Sequence, residues 1–217
     1  MSTSGKAPSI PRIAALLVAA ILALATGYWV ADHLFVRPAP LSGLHATVFS
    51  NPRDIQPFTL ADHTGKAFDN RSLLGHWSFV FFGYTHCPDV CPTTLSVLSS
   101  VARKVGNHAD DVQFVFITID PGRDSPEMLG QFLSRFDRGI IGVTGTSEAI
   151  GTLAHQVGIT FARVADNSGA GNYTMDHSAS VLLFDPAGRF HAVFTPPLDA
   201  TDMARDFSMI SQAYGNR

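Results

Sequence analysis

The chain has only two cysteines, Cys87 and Cys91, and few charges, since Asp, Glu, Lys and Arg make up 15% of its 217 residues. Two cysteines are too few for a disulfide framework, and a chain of this length with 46% hydrophobic residues can bury an ordinary core without one. The net charge of −3 and the lack of a basic stripe argue against nucleic acid as a partner. The cysteines are therefore better candidates for chemistry than for scaffolding.

Charge is also absent from Ile13 to Ala31, a run of 19 residues, close to the roughly 20 that a helix needs to cross a bilayer. Lys6 and Arg12 precede this run, so residues 1–31 are predicted to form a cytoplasmic stub and a transmembrane anchor with the N-terminus in the cytoplasm. A signal peptide cleaved near residues 23–25 is the alternative, and either interpretation exports the rest of the chain. The short segment before Arg12 leaves no room for an organelle transit peptide. We therefore expect a bacterial inner membrane, with the C-terminal domain in the periplasm.

Both cysteines lie between an apolar run and a helical pattern. Ser78–Phe82 is rich in strand-forming residues, and Pro92 is followed by Leu and Val at helical spacing. The thiols are thus predicted to lie on a strand-to-helix turn, where unpaired backbone N–H groups and the helix dipole favour the thiolate. Their spacing permits a disulfide or a shared metal ion. A buried core pair or a structural disulfide is the alternative.

Pattern and turn signals divide the remainder into a linker, residues 32–55, and one α/β domain, residues 56–217. The predicted strands are two short ones within Pro57–Asp69, then His76–Phe82, Asp111–Asp120, Gly139–Gly145, Ser180–Phe184 and Phe190–Phe194. The predicted helices are Pro92–Val105, Pro126–Phe136 with Ser125 as its cap, Ser147–Val157 and Asp199–Ala213. Ala165–Tyr173 is predicted to be a flexible loop.

This order of elements is that of thioredoxin-like folds, and three segments make the resemblance specific. GYTHCPDVCPTTL from Gly83, DPGRDSPE from Asp120 and MDHSAS from Met175 resemble the signature segments of the Sco/SenC/PrrC family. The resemblance implies a central mixed sheet flanked by helices, copper as the bound metal, and a role in assembling the binuclear copper centre of cytochrome c oxidase. It also implies Cys87, Cys91 and His177 as the copper ligands.

The residue types agree with that ligand set. Two thiolates and an imidazole are soft donors that select Cu(I), zinc or iron–sulfur clusters, and three ligands suit Cu(I), whereas structural zinc takes four. Asp176 is predicted to accept a hydrogen bond from the imidazole of His177 or to be solvated. Four further residues are predicted to support the ligands or contact a partner: Asp89, Asp120, Arg123 and Asp124.

These expectations favour a membrane-anchored copper metallochaperone over an enzyme. Its partners would be the copper-binding subunit of cytochrome c oxidase, with other copper chaperones or thioredoxin-like reductants. The alternative is a thiol-disulfide oxidoreductase that reduces the cysteines of that copper site, with Cys87 and Cys91 as the catalytic redox dithiol. A peroxidase or a redox or copper sensor on the same scaffold is a third interpretation, which the lack of a PxxxTxxC segment argues against.

Overall fold

The computed structural model describes residues 10–34, 43–105, 111–136, 139–165 and 173–215. The chain divides into two units, of which one contains helix α1, Ile10–Leu34, and the other is Leu41–Ser211. The side chains described in α1, those of residues 14–30, are exposed. Within the described ranges, no helix has the length and apolar character needed to cross a membrane. The transmembrane anchor stays a prediction.

The second unit is built on ten strands in two sheets. The strands are β1 Thr47–Arg53, β2 Thr59–Asp62, β3 Ala67–Asp69, β4 Trp77–Gly83, β5 Val112–Thr118, β6 Ile141–Thr144, β7 Phe161–Ala165, β8 Tyr173–His177, β9 Val181–Phe184 and β10 Phe190–Phe194. Eight of them form one sheet in the order β1-β10-β9-β4-β5-β6-β2-β3, and β7 pairs with β8 in a separate sheet. Strands β4, β5 and β6 are parallel and the other neighbours antiparallel, which confirms the predicted mixed sheet.

Strand β4 is central, and all seven of its residues are buried. Its run WSFVFFG is apolar without alternation, as expected where both faces of a sheet are covered. On one face Phe79 stacks against Phe114 and Phe194, with ring centroids 5.2 and 5.9 Å apart. The carboxyl ends of parallel strands are where open α/β sheets place their sites. The cysteine turn follows the carboxyl end of β4 directly.

Four helices follow α1 in the described residues: α2 Val90–Lys104, α3 Pro126–Leu133, α4 Ser147–Gln156 and α5 Ala200–Gly215. Ser125 caps α3 as predicted, since its side chain accepts a hydrogen bond from the Met128 backbone N–H at 3.3 Å. Helix α4 is capped by Thr146 instead of the predicted Ser147. Helix α2 begins two residues before the predicted Pro92, and this places Cys91 in its first turn.

One strand, β1, lies within the predicted linker. Residues 47–53 of the predicted linker form β1, which pairs with β10 at the sheet edge, where Phe49 packs on Phe190 with ring centroids 4.9 Å apart. The pairing register of β1 shifts between Val48 and Arg53, around Pro52, and a proline is tolerated on such an edge strand. This proline hid the strand from pattern analysis.

The predicted loop Ala165–Tyr173 is bounded by a hairpin. The two end residues of this loop pair with each other, Ala165 as the last residue of β7 and Tyr173 as the first residue of β8. At the opposite end of the hairpin, Phe161 pairs with His177. Residues 166–172 lie outside the described residues. The hairpin therefore supplies the candidate third ligand on the end of a strand.

Candidate metal centre

Three potential ligands converge beyond the carboxyl end of β4. One ligand atom each from Cys87, Cys91 and His177 lies within 4.8 Å of the other two. In the described parts of the chain, no other group of three or more His, Cys, Asp or Glu donors comes close enough to share a metal ion. Both cysteines are free thiols. The three ligands implied by the sequence resemblance are thus brought together by the fold.

Cys91 is fully buried and its sulfur lies directly against the backbone of β4. A Cβ atom added to Gly83 would lie 2.8 Å from the Cys91 Sγ atom and 2.8 Å from Cε2 of Phe116. Only glycine leaves that space for the sulfur. In the sequence, the signal for this close approach is a glycine just before the cysteine turn.

Burial decides the protonation of Cys91. Removal from water raises the pKa of this thiol, the charges of Cys87 and Asp124 act in the same direction, and a backbone hydrogen bond at Tyr84 opposes them. The expectation that the helix dipole favours a thiolate at both cysteines is therefore wrong for Cys91. Cys87 is half-buried, and its sulfur accepts a hydrogen bond from the Cys91 backbone N–H at 3.4 Å.

His177 presents a neutral nitrogen to the thiols. Its Nδ1 atom lies 3.0 Å from the Ser178 carbonyl oxygen, and its Nε2 atom lies 3.5 Å from Cys91 Sγ. A carbonyl can only accept, so Nδ1 carries the proton and the Nε2 lone pair faces the sulfur. Burial also lowers the pKa of His177. The imidazole is thus held in the tautomer and charge state that bind a metal ion.

Of the two alternatives predicted for Asp176, the structure agrees with the solvated carboxylate and not with the acceptor for the His177 ring. The Ser178 carbonyl is the hydrogen-bond partner of the His177 ring, and Asp176 is exposed on the opposite face of β8. Its charge raises the pKa of His177, which weakens the effect of burial. Asp89 is also exposed, at the start of α2, where it accepts a hydrogen bond from Thr93 Oγ1 at 3.3 Å and does not cap the helix backbone.

Asp124 joins the cysteine turn to the loop after β5. Its fully buried carboxylate accepts hydrogen bonds from the Thr85 backbone N–H at 3.0 Å and from the hydroxyls of Thr85 at 2.5 Å and Thr118 at 2.6 Å. His86 lies at the edge of this group, with Nδ1 3.7 Å from Asp124. The two threonines were missed by sequence analysis because hydroxyl residues beside a strand carry no distinguishing pattern.

Asp120 and Arg123 face the hairpin that carries His177. They form an ion pair through Arg123 Nε, and the Tyr173 hydroxyl donates to Asp120 at 2.8 Å. Arg123 Nη1 donates to the Tyr173 carbonyl oxygen at 3.0 Å. Tyr173 was placed by the sequence at the end of a loop, and its part in this group was not foreseen.

An open cleft of about 270 Å³ gives access to the centre from solvent. Cys87 and His177 line it, and Cys91 does not. The other lining residues are Tyr84, Pro88, Asp89, Val90, Thr174, Met175, Asp176 and Ala179. An incoming group therefore meets the half-buried sulfur and the imidazole first, and the buried sulfur last.

The chain resembles a family of known proteins and several solved structures. The family model described as SCO1/SenC matches residues 49–212. The chain is 34% identical over 151 residues to a SCO2-like protein of Rickettsia prowazekii, covering 70% of this chain and 74% of the relative. Among solved structures, Bradyrhizobium japonicum ScoI with copper bound shares 40% identity, with a TM-score of 0.64 and coverage of 70% of this chain and 96% of that one. Yeast Sco1 with copper bound shares 32% identity, with a TM-score of 0.68 and coverage of 75% and 91%. The family match includes all three candidate ligands.

Proposed function

Because the chain belongs to the SCO1/SenC family, as its signature segments predicted, we propose that it binds copper and delivers it to the binuclear copper centre of cytochrome c oxidase. The observation that carries this proposal is the convergence of Cys87, Cys91 and His177 within 4.8 Å of one another. Two relatives of known structure with 40% and 32% identity were solved with copper bound, which supports copper as the cargo.

The donor set suits a soft ion that accepts few ligands. Two sulfurs and one imidazole nitrogen select Cu(I) over hard cations, and three donors are one short of a structural zinc site. A metal ion that binds Cys91 must displace the proton that burial keeps on its sulfur. The His177 nitrogen needs no such exchange, because Nδ1 already carries the ring proton. Copper uptake is therefore coupled to proton release at the buried thiol.

Delivery follows from the asymmetry of the two thiols. Cys87 and His177 line the open cleft, so a thiolate of the copper-binding oxidase subunit can join the ion from that side before either ligand leaves. Cys91 is buried, so its sulfur would be the last ligand to release the copper ion. Other copper chaperones would load the site through the same cleft. A site with an accessible half and a buried half supports transfer by stepwise ligand exchange.

We further propose that α1 anchors the domain to the inner, cytoplasmic membrane, with the N-terminus in the cytoplasm and the metal centre in the periplasm. The support is the 19-residue uncharged run Ile13–Ala31, which extends beyond the described side chains at both ends, and the exposure of large apolar residues such as Leu24 at 74% and Trp29 at 60%. A chain that begins after residue 42 and is exported by an added, cleavable signal peptide should appear in the soluble periplasmic fraction, whereas the whole chain should sediment with membranes. Sedimentation of both would contradict the anchor.

Copper titration of the reduced protein tests the function directly. We expect one copper ion per chain for the wild type, at least tenfold weaker binding for His177→Ala and for Cys87→Ser, and unchanged binding for His86→Ala. His86 is the matched control because it neighbours Cys87 yet faces Thr85 and Asp124. In a deletion strain, only variants that bind copper should restore oxidase activity. Copper binding no tighter than that of an ordinary dithiol would refute the proposal.

Reduction of the oxidase's copper-site disulfide is the second candidate, because one free thiol is accessible and the other is buried beside it. The Cys87 thiolate would attack the partner disulfide and release one partner thiolate. Cys91, after losing its proton, would then attack Cys87 and release the second, leaving a Cys87–Cys91 disulfide and a reduced partner. Thioredoxin-like reductants would restore the dithiol. Copper chelators should leave this activity unchanged, whereas they should abolish copper delivery.

A further inference from the structure

The strand that carries His177 is not part of the main sheet. Among the described residues, β7 and β8 pair only with each other. No backbone ladder therefore holds β8 against the cysteine turn, and side chains must do so. The residues of β8 that alternate inward are Tyr173, Met175 and His177, which are half-buried, whereas Thr174 and Asp176 are exposed. The inward face contains the ligand at one end and Tyr173 at the other, about 13 Å away along an extended strand.

Arg123 holds the Tyr173 end. Its guanidinium lies 3.6 Å from the centroid of the Tyr173 ring, and its Nη1 atom donates to the Tyr173 carbonyl oxygen at 3.0 Å. The Tyr173 hydroxyl donates to Asp120 at 2.8 Å, and Asp120 pairs with Arg123 Nε. Burial and the hydrogen bond to Asp120 raise the pKa of Tyr173, so the hydroxyl keeps the proton that it donates. Ring, backbone and hydroxyl of one residue are thus all fixed by the loop after β5.

Tyr84 connects this group to the metal centre. It is buried at the end of β4, its ring lies edge-on to the His177 ring at 6.1 Å, and the Arg123 guanidinium lies 5.8 Å from its centroid. Arg123 Nη2 is buried without a hydrogen-bond partner among the described residues, a cost that contact with two aromatic rings offsets. Arg123 is therefore placed where it touches both the base of the cysteine turn and the start of the ligand strand.

We propose that Arg123 and Tyr173 are positioning residues for His177: by fixing the start of β8 against the β5 loop and Tyr84, they keep the imidazole within reach of the two sulfurs. This inference rests on the proposed function and goes beyond it, because it assigns the retention of the third ligand to a contact at the far end of its strand. Release of that contact would leave copper on the two thiolates alone, the state from which a partner removes it more readily.

The test uses the complete chain, purified in detergent, with three variants. Arg123→Lys keeps the charge beside Asp120 but loses the planar fork, and Tyr173→Phe keeps the ring but loses the bond to Asp120. Arg163→Lys is the matched control, because Arg163 is exposed on β7 and its guanidinium lies 3.9 Å from the centroid of the same ring. An effect of Arg163→Lys as large as that of Arg123→Lys would assign the effect to stacking on the Tyr173 ring and overturn the proposal.

Copper affinity and X-ray absorption of the copper-loaded protein provide the first measurement. We expect Arg123→Lys to lower copper affinity by about 10–100-fold and to reduce the imidazole scattering, Tyr173→Phe to do so by a smaller factor, and Arg163→Lys to do neither. In a His177→Ala background, Arg123→Lys should cause no further loss of affinity. The proposal is overturned if the loss persists in that background, or if imidazole scattering is unchanged in Arg123→Lys.

Hydrogen exchange of the copper-free chain provides the second measurement and separates this inference from the proposed function. The amides of β8 should exchange faster in Arg123→Lys than in the wild type, while the amides of β4 should exchange at the same rate in both proteins. In Arg163→Lys, the amides of both strands should exchange as in the wild type. Equal exchange of β8 in Arg123→Lys and the wild type would refute the positioning role whether or not copper binds. Failure of the wild type to bind copper would refute the proposed function without changing this result.

Discussion

The Nε2 atom of His177 lies 3.5 Å from the sulfur of Cys91, although 86 residues separate them in the sequence. Because the other ring nitrogen donates to a carbonyl, the contact joins a thiol proton to an imidazole lone pair. A copper ion can take the place of that single proton without either side chain changing its partner elsewhere. The copper-free centre is thus already arranged to bind copper.

Gly83→Ala should disturb the buried thiol. The added Cβ would lie 2.8 Å from Cys91 Sγ and from a ring carbon of Phe116, so we expect a loss of about 1–3 kcal/mol in unfolding free energy and weaker copper binding. Gly151→Ala in α4 is the control, because nothing lies within 4 Å of its added Cβ, and it should stabilise the protein by about 0.5–1 kcal/mol. Urea unfolding and copper titration measure both. Equal stability of the two variants would contradict the close approach.

Asp124→Ala should be far more damaging than Asp89→Ala. The first leaves the part-buried backbone N–H of Thr85 and the buried hydroxyl of Thr118 without this acceptor, at about 1–3 kcal/mol for each unpaired group. Asp89 is exposed and does not cap the helix backbone, so its removal should change the unfolding free energy by less than about 0.5 kcal/mol. Chemical denaturation of the copper-free variants provides the comparison. A small effect of Asp124→Ala would show that the cysteine turn holds without this carboxylate.

Alkylation should distinguish the two thiols. Cys87 is half-buried and lines the cleft, whereas Cys91 is fully buried, so iodoacetamide should modify Cys87 alone in the native reduced protein and both after unfolding. Peptide mass spectrometry identifies the modified residue. Cys87→Ser should leave the native protein unmodified, as a check that Cys91 is protected by the fold and not by its neighbour. Rapid native modification of Cys91 would mean that the cleft reaches the buried sulfur.

The copper-free protein should lose stability at both ends of a pH window. Burial lowers the pKa of His177 below its ordinary 6.5, so as pH falls below that value the unfolded chain gains a proton that the folded chain does not. Burial raises the pKa of Cys91 above its ordinary 9.0, so as pH rises beyond that value the unfolded chain loses a proton that the folded chain keeps. Both differences favour the unfolded state outside the window.

Two variants assign the two limbs of that profile. His177→Gln should reduce the decline below pH 6.5, and Cys91→Ala should reduce the decline above pH 9.0, when urea midpoints are followed across pH. Each variant serves as the control for the other limb. Profiles parallel to that of the wild type would assign the pH dependence to other groups.

The sequence was sufficient for the central part of the fold. Continuous apolar runs predicted β4 and β5, and Ser125 followed by Pro126 predicted the start of α3, because burial on both faces and helix capping leave local patterns. The three signature segments, not local patterning, implied His177 as a ligand. The central strands could be predicted because burial leaves a local pattern, and the metal ligands could be predicted because their signature segments are distinctive.

What the sequence could not supply depends on contacts between distant segments. The pKa of Cys91 is raised by its burial beside Gly83, which no spacing of cysteines reveals. The partner of the His177 ring is a backbone carbonyl, invisible to any pattern of side chains. Strand β1 was hidden by a proline that only an edge position tolerates.

The third ligand, His177, lies on the separate hairpin of β7 and β8, whereas the two sulfurs lie on the turn and helix that follow the central strand of the main sheet. Replacing this hairpin with another sequence should therefore change which metal ion binds, or abolish metal binding, and leave a stably folded protein that retains both thiols. Substitutions in the hairpin should therefore change metal binding with little effect on the unfolding free energy.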